Sequence, residues 1–404
     1  MKTAIWLYLF MFVAIFDLHA QYPILSPFAL SLGATPSFIG LILGVYSITH
    51  LPGNLLAGYG VDRYGSKPFI VISLILAGII LLFQSQVTDP WQLLIIRSMS
   101  GFVLAFLSPA CLALLAKLAR DRIHQGKLMS GNGLVHTLAS VVSPAVGAYL
   151  VVKLGFATSF TILGWCLIGI GVLAVFGVKE FRIPKSDSAS MFSSIGTDKA
   201  TNPETSMSAN KVNKSTNAES SMTPHPTSTI PWLFFGIPLA ISCSQGILFF
   251  ELPLMKSTQN SIVTSGILFS LVSFGALITL SMLFLNRIPA YLRTVFGTLA
   301  LALIFFGMAV QWSVPLHVSL VLIGMAKGII FPAIATLLAN ITSAGRYGRV
   351  FSLLSISFSV GAFFGPVLAG QLRTGISPYY IAFLALMIGL SIVPYNKYRT
   401  MVVN

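Results

Sequence analysis

The sequence predicts an all-α membrane protein with twelve transmembrane helices, arranged as two pseudo-symmetric six-helix bundles. The first observation is composition: 55% of the 404 residues are apolar, only 8% are charged, and the mean hydropathy is +0.87. A soluble globular domain carries about 25% charged residues, so this chain cannot cover a water-facing surface. The composition excludes a soluble enzyme, a disordered protein and a nucleic-acid binder with an exposed basic face. The other two observations are a set of apolar runs and an internal repeat.

The apolar runs are long enough to cross about 30 Å of hydrocarbon as helices. They lack the apolar–polar alternation of a transmembrane β-barrel, so helices are the predicted structure. The first run is too long for a removable signal and has no small-residue cleavage site behind it. The twelve runs, numbered as spans 1 to 12, lie at residues 5–30, 36–60, 68–85, 91–117, 127–152, 156–178, 231–255, 261–285, 293–312, 315–341, 348–371 and 376–395.

The distribution of Lys and Arg predicts the orientation of these spans. With the N-terminus in the cytoplasm, 19 of the 24 basic residues lie on the cytoplasmic side, and Lys153, Lys256 and Arg373 lie on the other side. Arg97 and Lys327 lie within spans. The positive-inside rule then places both termini in the cytoplasm. The net charge of +14 is interpreted as a topology signal, not as a sign of an anionic partner.

Residues 186–230 separate the first six spans from the last six. Of these 45 residues, 25 are Ser, Thr, Asn or Pro, a composition that cannot bury a core. We therefore expect an N-terminal six-helix bundle at 1–185, a disordered cytoplasmic linker at 186–230 and a C-terminal six-helix bundle at 231–404. A plain tether is the simpler role for the linker, and a regulatory role stays open.

The two halves resemble each other in sequence. Residues 108–116, SPACLALLA, match residues 331–339, FPAIATLLA. Gln21 and Gln245 take similar places in spans 1 and 7. A parallel repeat of six helices places a pathway on the axis between the halves, with a site near mid-membrane. The repeat therefore predicts a carrier.

The loop after span 2 reads GYGVDRYGSK at residues 58–67. An aspartate at a helix end, flanked by glycine and basic residues, suits a tight turn and can face the N-terminus of another helix. The string resembles the G-x-x-x-D-R-x-G-[RK]-[RK] signature of the major facilitator superfamily, with Ser66 in place of a basic residue. This resemblance implies the major facilitator fold, and implies that Asp62 braces the loop against span 11 and helps to hold the outward-facing state. The matching residues are Gly58, Asp62, Arg63, Gly65 and Lys67.

Span 4 carries Leu93-x3-Arg97-x2-Ser100-Gly101, which resembles the family's L-x3-R-x2-Q-G signature with Ser100 in place of Gln. An arginine inside hydrocarbon is costly and usually functional. The resemblance implies that Arg97 takes part in proton transfer or holds an acidic partner. Snorkelling of its side chain to the outer face is the alternative interpretation.

Spans 5 and 11 carry small residues and prolines at spacings that let helices approach closely and bend. The span 5 string resembles the G-x3-G-P-x2-G-G signature of the drug:proton antiporter branch, with Ala139 and Ser143 in place of glycines. Generic helix packing explains the pattern without a transport role, whereas the resemblance favours export over uptake. The residues concerned are Ser143, Pro144 and Gly147 in span 5, and Gly361, Gly365, Pro366 and Gly370 in span 11.

Only two of the ten acidic residues, Asp17 and Glu251, lie within spans, and such residues are functional candidates by default. Asp17 and Arg97 are expected at similar depth, where an ion pair would serve as a proton switch or as a structural pair. Glu251 lies late in span 7, either at the outer interface or in a functional site. Lys327 in span 10 is expected to line the cavity, without a direct pair to Glu251. There it would neutralise an anionic substrate group or contact a helix end.

Four uncharged polar residues complete the predicted proton-coupling and substrate site. His19 and His136 are proton-path candidates or, alternatively, neutral packed histidines. A direct relay from Asp17 to His19 is not expected, because side chains two residues apart do not face each other on a helix. Gln21 and Gln245 add polar points to helices that line the cavity in this family.

The sequence thus predicts a proton-coupled secondary transporter that exports small amphipathic or hydrophobic compounds by alternating access. We expect no cofactor, metal or catalytic residue, because no ATP-binding glycine loop and no cluster of nucleophiles, acids or metal ligands is visible. The expected partners are a small-molecule or lipid-like substrate, protons and membrane lipids, with no nucleic acid, and the expected state is a monomer in the plasma membrane, the inner membrane of a bacterium. A lipid or lipid-linked-sugar flippase and a solute uptake symporter stay open as alternatives.

Overall fold

The computed structural model describes residues 2–118, 122–177, 232–255, 261–282, 288–341 and 347–392. Every regular element within these ranges is a helix. Eleven helical segments are long and apolar enough to cross a membrane, and the shorter apolar helix Pro378–Ser391 follows them. This arrangement confirms the predicted all-α membrane fold. The linker predicted at 186–230 lies outside the described residues.

The N-terminal half contains spans 1 to 6. Span 1 is Lys2–Ala20 followed by Tyr22–Ser31, span 2 is Pro36–Tyr64, span 3 is Ser66–Gln84, span 4 is Pro90–Leu104 followed by Leu107–Lys117, span 5 is Arg122–Leu154, and span 6 is Phe156–Gly177. Spans 2 and 4 begin with a proline, which has no amide N–H to leave unpaired, directly after a capping side chain. The Thr35 hydroxyl accepts a hydrogen bond from Phe38 N at 3.4 Å, and the Asp89 carboxylate accepts one from Trp91 N at 2.7 Å.

The C-terminal half contains spans 7 to 12. Span 7 is Gly236–Glu251 between the short 3-10 helices Trp232–Phe235 and Leu252–Leu254, span 8 is Ile262–Ser281, span 9 is Ala290–Ala309, span 10 is Leu316–Ile341, span 11 is Tyr347–Leu372, and span 12 is Pro378–Ser391. Two predicted spans of the N-terminal half are interrupted in the structure. Span 1 breaks at Gln21, and span 4 breaks at Ala105 and Phe106.

The packing within the halves is pseudo-symmetric. Spans 1 and 5, 2 and 4, and 3 and 6 are tightly packed pairs in the first half, and spans 7 and 11, 8 and 10, and 9 and 12 are the corresponding pairs in the second. The contacts between the halves are also pseudo-symmetric. Span 2 packs on span 11, and span 8, the counterpart of span 2, packs on span 5, the counterpart of span 11. Large apolar side chains such as Trp165 and Phe176 are exposed on span 6, which suits contact with lipid tails.

Spans 2 and 11 meet along a seam at which glycines let the two backbones approach closely. We call the end of the bundle with the turn of residues 32–35 the distal end, and the end with the turn at Gly65 the proximal end. A Cβ atom added at Gly40 would overlap the backbone of Pro366, and one at Gly370 would overlap the backbone of Pro36. The Ser37 hydroxyl donates a hydrogen bond to the Gly370 carbonyl at 3.2 Å. This seam closes the distal end between spans 2 and 11.

A second distal seam joins spans 5 and 8. A Cβ atom added at Gly266 would meet the Pro144 carbonyl and the Ala148 methyl group. Gly147 packs equally closely on Ala20 of span 1. Ser143 is fully buried, and its hydroxyl donates to the Ala139 carbonyl at 2.6 Å. The close helix packing expected for the small residues of span 5 is therefore present.

The small residues of span 11 also face span 7 within the C-terminal half. A Cβ atom added at Gly361 would overlap the Leu239 carbonyl, and one at Gly365 would overlap the Cys243 backbone. The Pro366 ring packs so closely on Gly246 that a Cβ atom added there would overlap it. Helices in a bilayer associate through close packing of this kind, because lipid tails remove the hydrophobic drive between them.

We expect Gly365→Ala to lower the thermal stability of the purified protein, because the new methyl group must push span 11 away from span 7. Overpacking of a tight interface costs about 1–3 kcal/mol. Gly169→Ala is the matched control, since nothing lies within 4 Å of its added Cβ atom. Equal melting temperatures for the two variants, measured in detergent, would contradict the close packing of spans 7 and 11.

Candidate functional site

Two adjoining cavities lie on the axis between the halves. Their volumes are about 340 Å³ and about 260 Å³. The first lies within the range of small-molecule sites, about 300–1,000 Å³, and the second lies just below it. Their walls come from spans 1, 2, 4, 5, 7, 8, 10 and 11. Tyr22, Gln245, Phe249 and Phe331 line both cavities and therefore lie between them. The repeat predicted a pathway in this position.

The larger cavity, which we call the Lys327 cavity, combines a cation with an aromatic wall. Phe249 stands between Tyr22 and Phe269, with ring centroids at 4.1 Å and 5.5 Å. These three rings cross the boundary between the halves, because Tyr22 belongs to span 1 and the two phenylalanines to spans 7 and 8. The polar members of the wall are His19, His136, Thr137, Ser140, Gln245, Ser273 and Lys327.

The smaller cavity, which we call the Arg97 cavity, is lined by spans 1, 2, 4, 7, 10 and 11. Arg97 and Gln21 supply its N-terminal polar wall, and Ser242 and Gln245 face it from span 7. Tyr46, Phe249, Phe331 and Phe358 supply its aromatic surface. Both cavities therefore carry polar groups on a largely aromatic wall.

Gln21 joins the two charged side chains that the sequence placed at similar depth. Its amide nitrogen donates to both oxygens of the Asp17 carboxylate at 3.1 Å, and its amide oxygen accepts from Arg97 Nη1 at 3.1 Å. Gln84 Nε2 donates to the same oxygen at 3.2 Å. Asp17 is 2% exposed and Arg97 is 4% exposed. The expected direct ion pair between Asp17 and Arg97 is thus wrong in its geometry, because an amide bridges the two charges.

The break in span 1 explains why Gln21 can hold this position. Gln21 lies between the helices Lys2–Ala20 and Tyr22–Ser31, and Pro23 follows it in the first turn of the second helix. A proline there supplies no N–H, so the helix restarts without an additional unpaired donor. The Gln21 carbonyl accepts hydrogen bonds from Ile24 N and Leu25 N, which anchors the restart. The polar network therefore sits at the irregular point of span 1.

Arg97 is turned toward the interior and does not snorkel to the distal surface. Its guanidinium carbon lies 4.7 Å from the centroid of the Tyr46 ring, a cation–π arrangement, and its Nη1 contacts Gln21. Its Nε atom is buried without a hydrogen-bond partner among the described residues. Arginine is a permanent cation, so it keeps a positive charge beside the Arg97 cavity.

The two histidines of the predicted site meet each other across the Lys327 cavity wall. Their ring centroids lie 5.7 Å apart in an edge-to-face arrangement, and His19 also contacts Tyr22 at 5.0 Å. His19 Nδ1 lies 2.9 Å from the Ile15 carbonyl, so Nδ1 carries the proton in that bond, because a carbonyl only accepts. No hydrogen bond joins His19 to Asp17 among the described residues, because the Asp17 oxygens accept from Gln21 and His19 bonds to Ile15.

Glu251 pairs with Arg373, not with Lys327. Arg373 Nε lies 3.0 Å from Glu251 Oε2, Nη2 lies 3.2 Å from Oε1, and Nη2 also donates to the Leu254 carbonyl at 2.8 Å. The pair ties the distal end of span 7 to the end of span 11. No pair between Glu251 and Lys327 occurs among the described residues, and Glu251 lies apart from both cavities.

Lys327 lies in the cavity wall without a carboxylate. It is half-buried, and its recorded contact is a cation–π contact with Phe331 of its own helix, at 5.8 Å. It forms no hydrogen bond or ion pair with any residue within the described ranges. The structure places Lys327 in the wall of this cavity, and its role toward a substrate stays a prediction.

The predicted switch loop forms the turn between spans 2 and 3. Gly65 has φ +91°, a conformation that favours glycine, and its N–H donates to the Val61 carbonyl. Arg63 is exposed and donates to the Tyr59 hydroxyl at 3.0 Å. Gly58 lies in span 2 with no atom within 4 Å of an added Cβ atom, and Lys67 lies in the first turn of span 3. The Asp62 side chain lies outside the described part of the chain, so its contact with span 11 stays a prediction.

Several residues of the site were not predicted. Gln84 and Arg373 were missed because one is a helix-end amide and the other lies beyond a span. Phe249 and Tyr46 were not predicted as site residues, although they supply part of the aromatic wall. No group of three or more metal-binding side chains occurs in the ranges that the structure describes. The site is therefore built from amides, two cations, histidines and aromatic rings.

The fold and the central cavities together define a membrane transport protein with two six-helix halves. The chain belongs to the Major Facilitator Superfamily, whose sequence profile matches residues 7–314. Members of this family are transporters. The resemblance inferred from the loop and helix motifs is confirmed, and the protein is a multi-pass membrane protein.

The chain is similar to several named transporters. It is 23% identical over 387 residues to the multi-drug resistance efflux pump PmrA homolog of Lactococcus lactis, covering 92% of this chain and 86% of the relative. It is 30% identical over 152 residues to an uncharacterized MFS-type transporter of Methanocaldococcus jannaschii and over 146 residues to the multidrug resistance protein MdtG of Salmonella arizonae. These two alignments span only 38% and 35% of the relatives' lengths.

Two solved structures share the fold. A bacterial homolog of the human lysosomal transporter Spinster, in an inward-facing and occupied conformation, matches with a TM-score of 0.71 and 15% identity, over 96% of this chain and 95% of the other. A D-xylose–proton symporter matches with a TM-score of 0.68 and 13% identity, over 98% of both chains. At these identities the similarity concerns the fold alone.

We expect Arg373→Ala to destabilise the protein, because Glu251 would be left without its cation and the Leu254 carbonyl without its donor. Hydrogen bonds to charged groups contribute about 1.5–3 kcal/mol, so the melting temperature should fall by several degrees. The double variant Glu251→Gln with Arg373→Gln should recover part of the loss, since no uncompensated charge remains. Lys153→Ala, which removes an exposed cation, is the control; a fall as large as that of Arg373→Ala would contradict this role of the pair.

Proposed function

We propose that this protein is a proton-coupled secondary transporter that exports small amphipathic or hydrophobic compounds by alternating access. The observation that carries the proposal is the buried hydrogen-bond network of Asp17, Gln21 and Arg97 at the boundary of the central cavities. A carboxylate inside a membrane protein is retained for a function far more often than by chance, because its burial is costly.

The network is suited to couple protonation to conformation. Both oxygens of the ionised Asp17 accept from the Gln21 amide nitrogen, and the Gln21 amide oxygen accepts from Arg97 and Gln84. A protonated Asp17 would lose charge-assisted hydrogen bonds, which are the stronger ones. The Gln21 amide would then be less firmly held, and spans 1, 3 and 4 would be less firmly joined. Protonation would thus act on the contacts between helices that line the cavity.

The nature of the cavity wall supports amphipathic cargo. Phe249, Phe269, Phe331 and Tyr22 offer large apolar surface, and Gln245 faces both cavities with no hydrogen-bond partner in the described ranges. The long alignment with an efflux pump of Lactococcus lactis supports export as the direction. A sugar uptake symporter is disfavoured by the scarcity of amide side chains on the wall, whereas a lipid flippase remains the second candidate because the wall is aromatic.

We further propose the topology and organisation of the chain. The basic residues favour a cytoplasmic proximal end and cytoplasmic termini, in the inner membrane of a bacterium. Residues 186–230 would then connect an N-terminal bundle of residues 1–185 to a C-terminal bundle of residues 231–404 on the cytoplasmic side. With the distal seams closed, the described conformation would be the one closed to the outside.

Asp17→Asn should abolish substrate-dependent proton flux while leaving the protein folded, because asparagine keeps the shape but cannot exchange a proton. The measurement uses protein in liposomes that contain a pH-sensitive dye, with a series of amphipathic compounds added as outward gradients. Glu251→Gln is the matched control, since that carboxyl lies apart from the cavities and should leave coupling intact. Coupled flux in Asp17→Asn at the wild-type rate would refute the proton role of Asp17. Flux of lipids without protons would favour the flippase.

Asp62→Ala should slow the exchange between states, because the loop would lose the brace that the family resemblance implies. A cysteine placed at Ala148, which is fully buried at the seam of spans 5 and 8, reports opening of the distal end. Cys166 is exposed and must be replaced by serine in this background. We expect the maleimide labelling rate at position 148 to fall with Asp62→Ala and to be unchanged with the control Lys153→Ala. An unaltered rate with Asp62→Ala would argue against the brace.

A further inference from the structure

We infer that the Lys327 cavity binds the anionic head group of its cargo, so that the substrate class is an anionic amphiphile with a carboxylate or phosphate head. The inference rests on the proposed function, since it names the substrate class of that same cavity. It depends on charge balance. Lys327 lies in the wall of this cavity, and no carboxylate pairs with it within the described ranges.

The two carboxylates within spans are both engaged elsewhere. Asp17 is buried and accepts two hydrogen bonds from Gln21, which connects it to Arg97. Glu251 forms a two-point pair with Arg373 at the distal end. Neither residue belongs to the wall of the Lys327 cavity. No carboxylate side chain is therefore part of that wall within the described ranges.

An ammonium group in such surroundings favours an anionic ligand. The rest of the wall is aromatic, aliphatic or uncharged, with His19, Tyr22 and His136 as its other titratable side chains. In a neutral wall of this kind, the attraction between a cation and an incoming anion is stronger than in water. The charge-assisted hydrogen bond that forms on binding adds directionality. A site for a cationic drug would instead contain a surplus of carboxylates.

The geometry also provides a place for the tail. The Phe331 ring lies 5.8 Å from the Lys327 ammonium, and it lines both cavities. Phe249 and Phe269 continue the apolar surface with ring centroids 5.5 Å apart. A head group at Lys327 thus lies next to a continuous aromatic path into the Arg97 cavity. One molecule with a compact anion and an apolar chain fits this combination, whereas a fully polar anion leaves the rings uncovered.

Binding of two fluorescent probes with the same tail tests the inference. The probes are dansylated undecanoate, an anion at mildly alkaline pH, and its uncharged methyl ester. Both are titrated into the protein in nanodiscs, with empty nanodiscs as background. We expect the wild type to bind the anion at least about tenfold more tightly than the ester, equivalent to about 1.4 kcal/mol.

Variants of Lys327 test whether the preference for the anionic probe depends on this side chain. Lys327→Ala and Lys327→Gln should each weaken binding of the anion about tenfold and leave binding of the ester unchanged, and Lys327→Arg should keep the preference. Lys153→Ala removes an exposed lysine outside the cavity and should change neither probe. The glutamine variant keeps the bulk of the side chain, so it remains informative if the alanine variant does not fold.

The outcomes separate this inference from the proposed function. Equal binding of the two probes by the wild type, or equal loss of both probes in the Lys327 variants, would overturn the anionic head-group site. Because binding in nanodiscs requires no gradient, a preserved preference for the anion together with an absence of coupled flux in liposomes would refute the proposed transport mechanism alone. Coupled flux without any preference for the anion would refute the inference alone.

Discussion

The requirement that a charge inside hydrocarbon be satisfied by a protein group underlies the rest of this structure. Water is absent from the bilayer core, so each ionised side chain must find hydrogen bonds within the bundle. Asp17 and Arg97 do so through one amide, and Glu251 does so through Arg373 at the edge of the bundle. The positions of spans 1, 3 and 4 relative to each other follow from the first arrangement. The second ties span 7 to the end of span 11, and Lys327 lines its cavity without a carboxylate in the described part of the wall.

The fold follows from the sequence to a large extent, because the thickness of the bilayer sets the length of every apolar run. The twelve spans and their grouping in two halves needed only hydropathy and the repeat of residues 108–116 in residues 331–339. Hydropathy gives no information on breaks within an apolar run. The interruption at Gln21 was missed for that reason, because the position of the break depends on contacts of the Gln21 side chain with Asp17 and Arg97.

The sequence predicts how deep each site residue lies in the membrane, but not the direction in which its side chain points. A rise of about 1.5 Å per residue placed Asp17 and Arg97 at one level, and the structure brings them to the two sides of Gln21. Depth does not tell which way a side chain points around its helix, so the bridge was expected to be a direct contact. Arg373 could not be assigned to Glu251, because it follows a span in a turn whose path is set by tertiary packing.

The glycine-lined seam of spans 2 and 11 has a consequence for how the two halves can part. At Gly40 and Gly370 one backbone packs directly on another, so few side chains interlock at these two positions. A gap of about 0.5–1 Å between such surfaces already removes a quarter to a half of their dispersion attraction. The contact at this seam therefore weakens steeply as the two helices separate. A protein with this kind of joint can alternate between two arrangements repeatedly without rebuilding its interior.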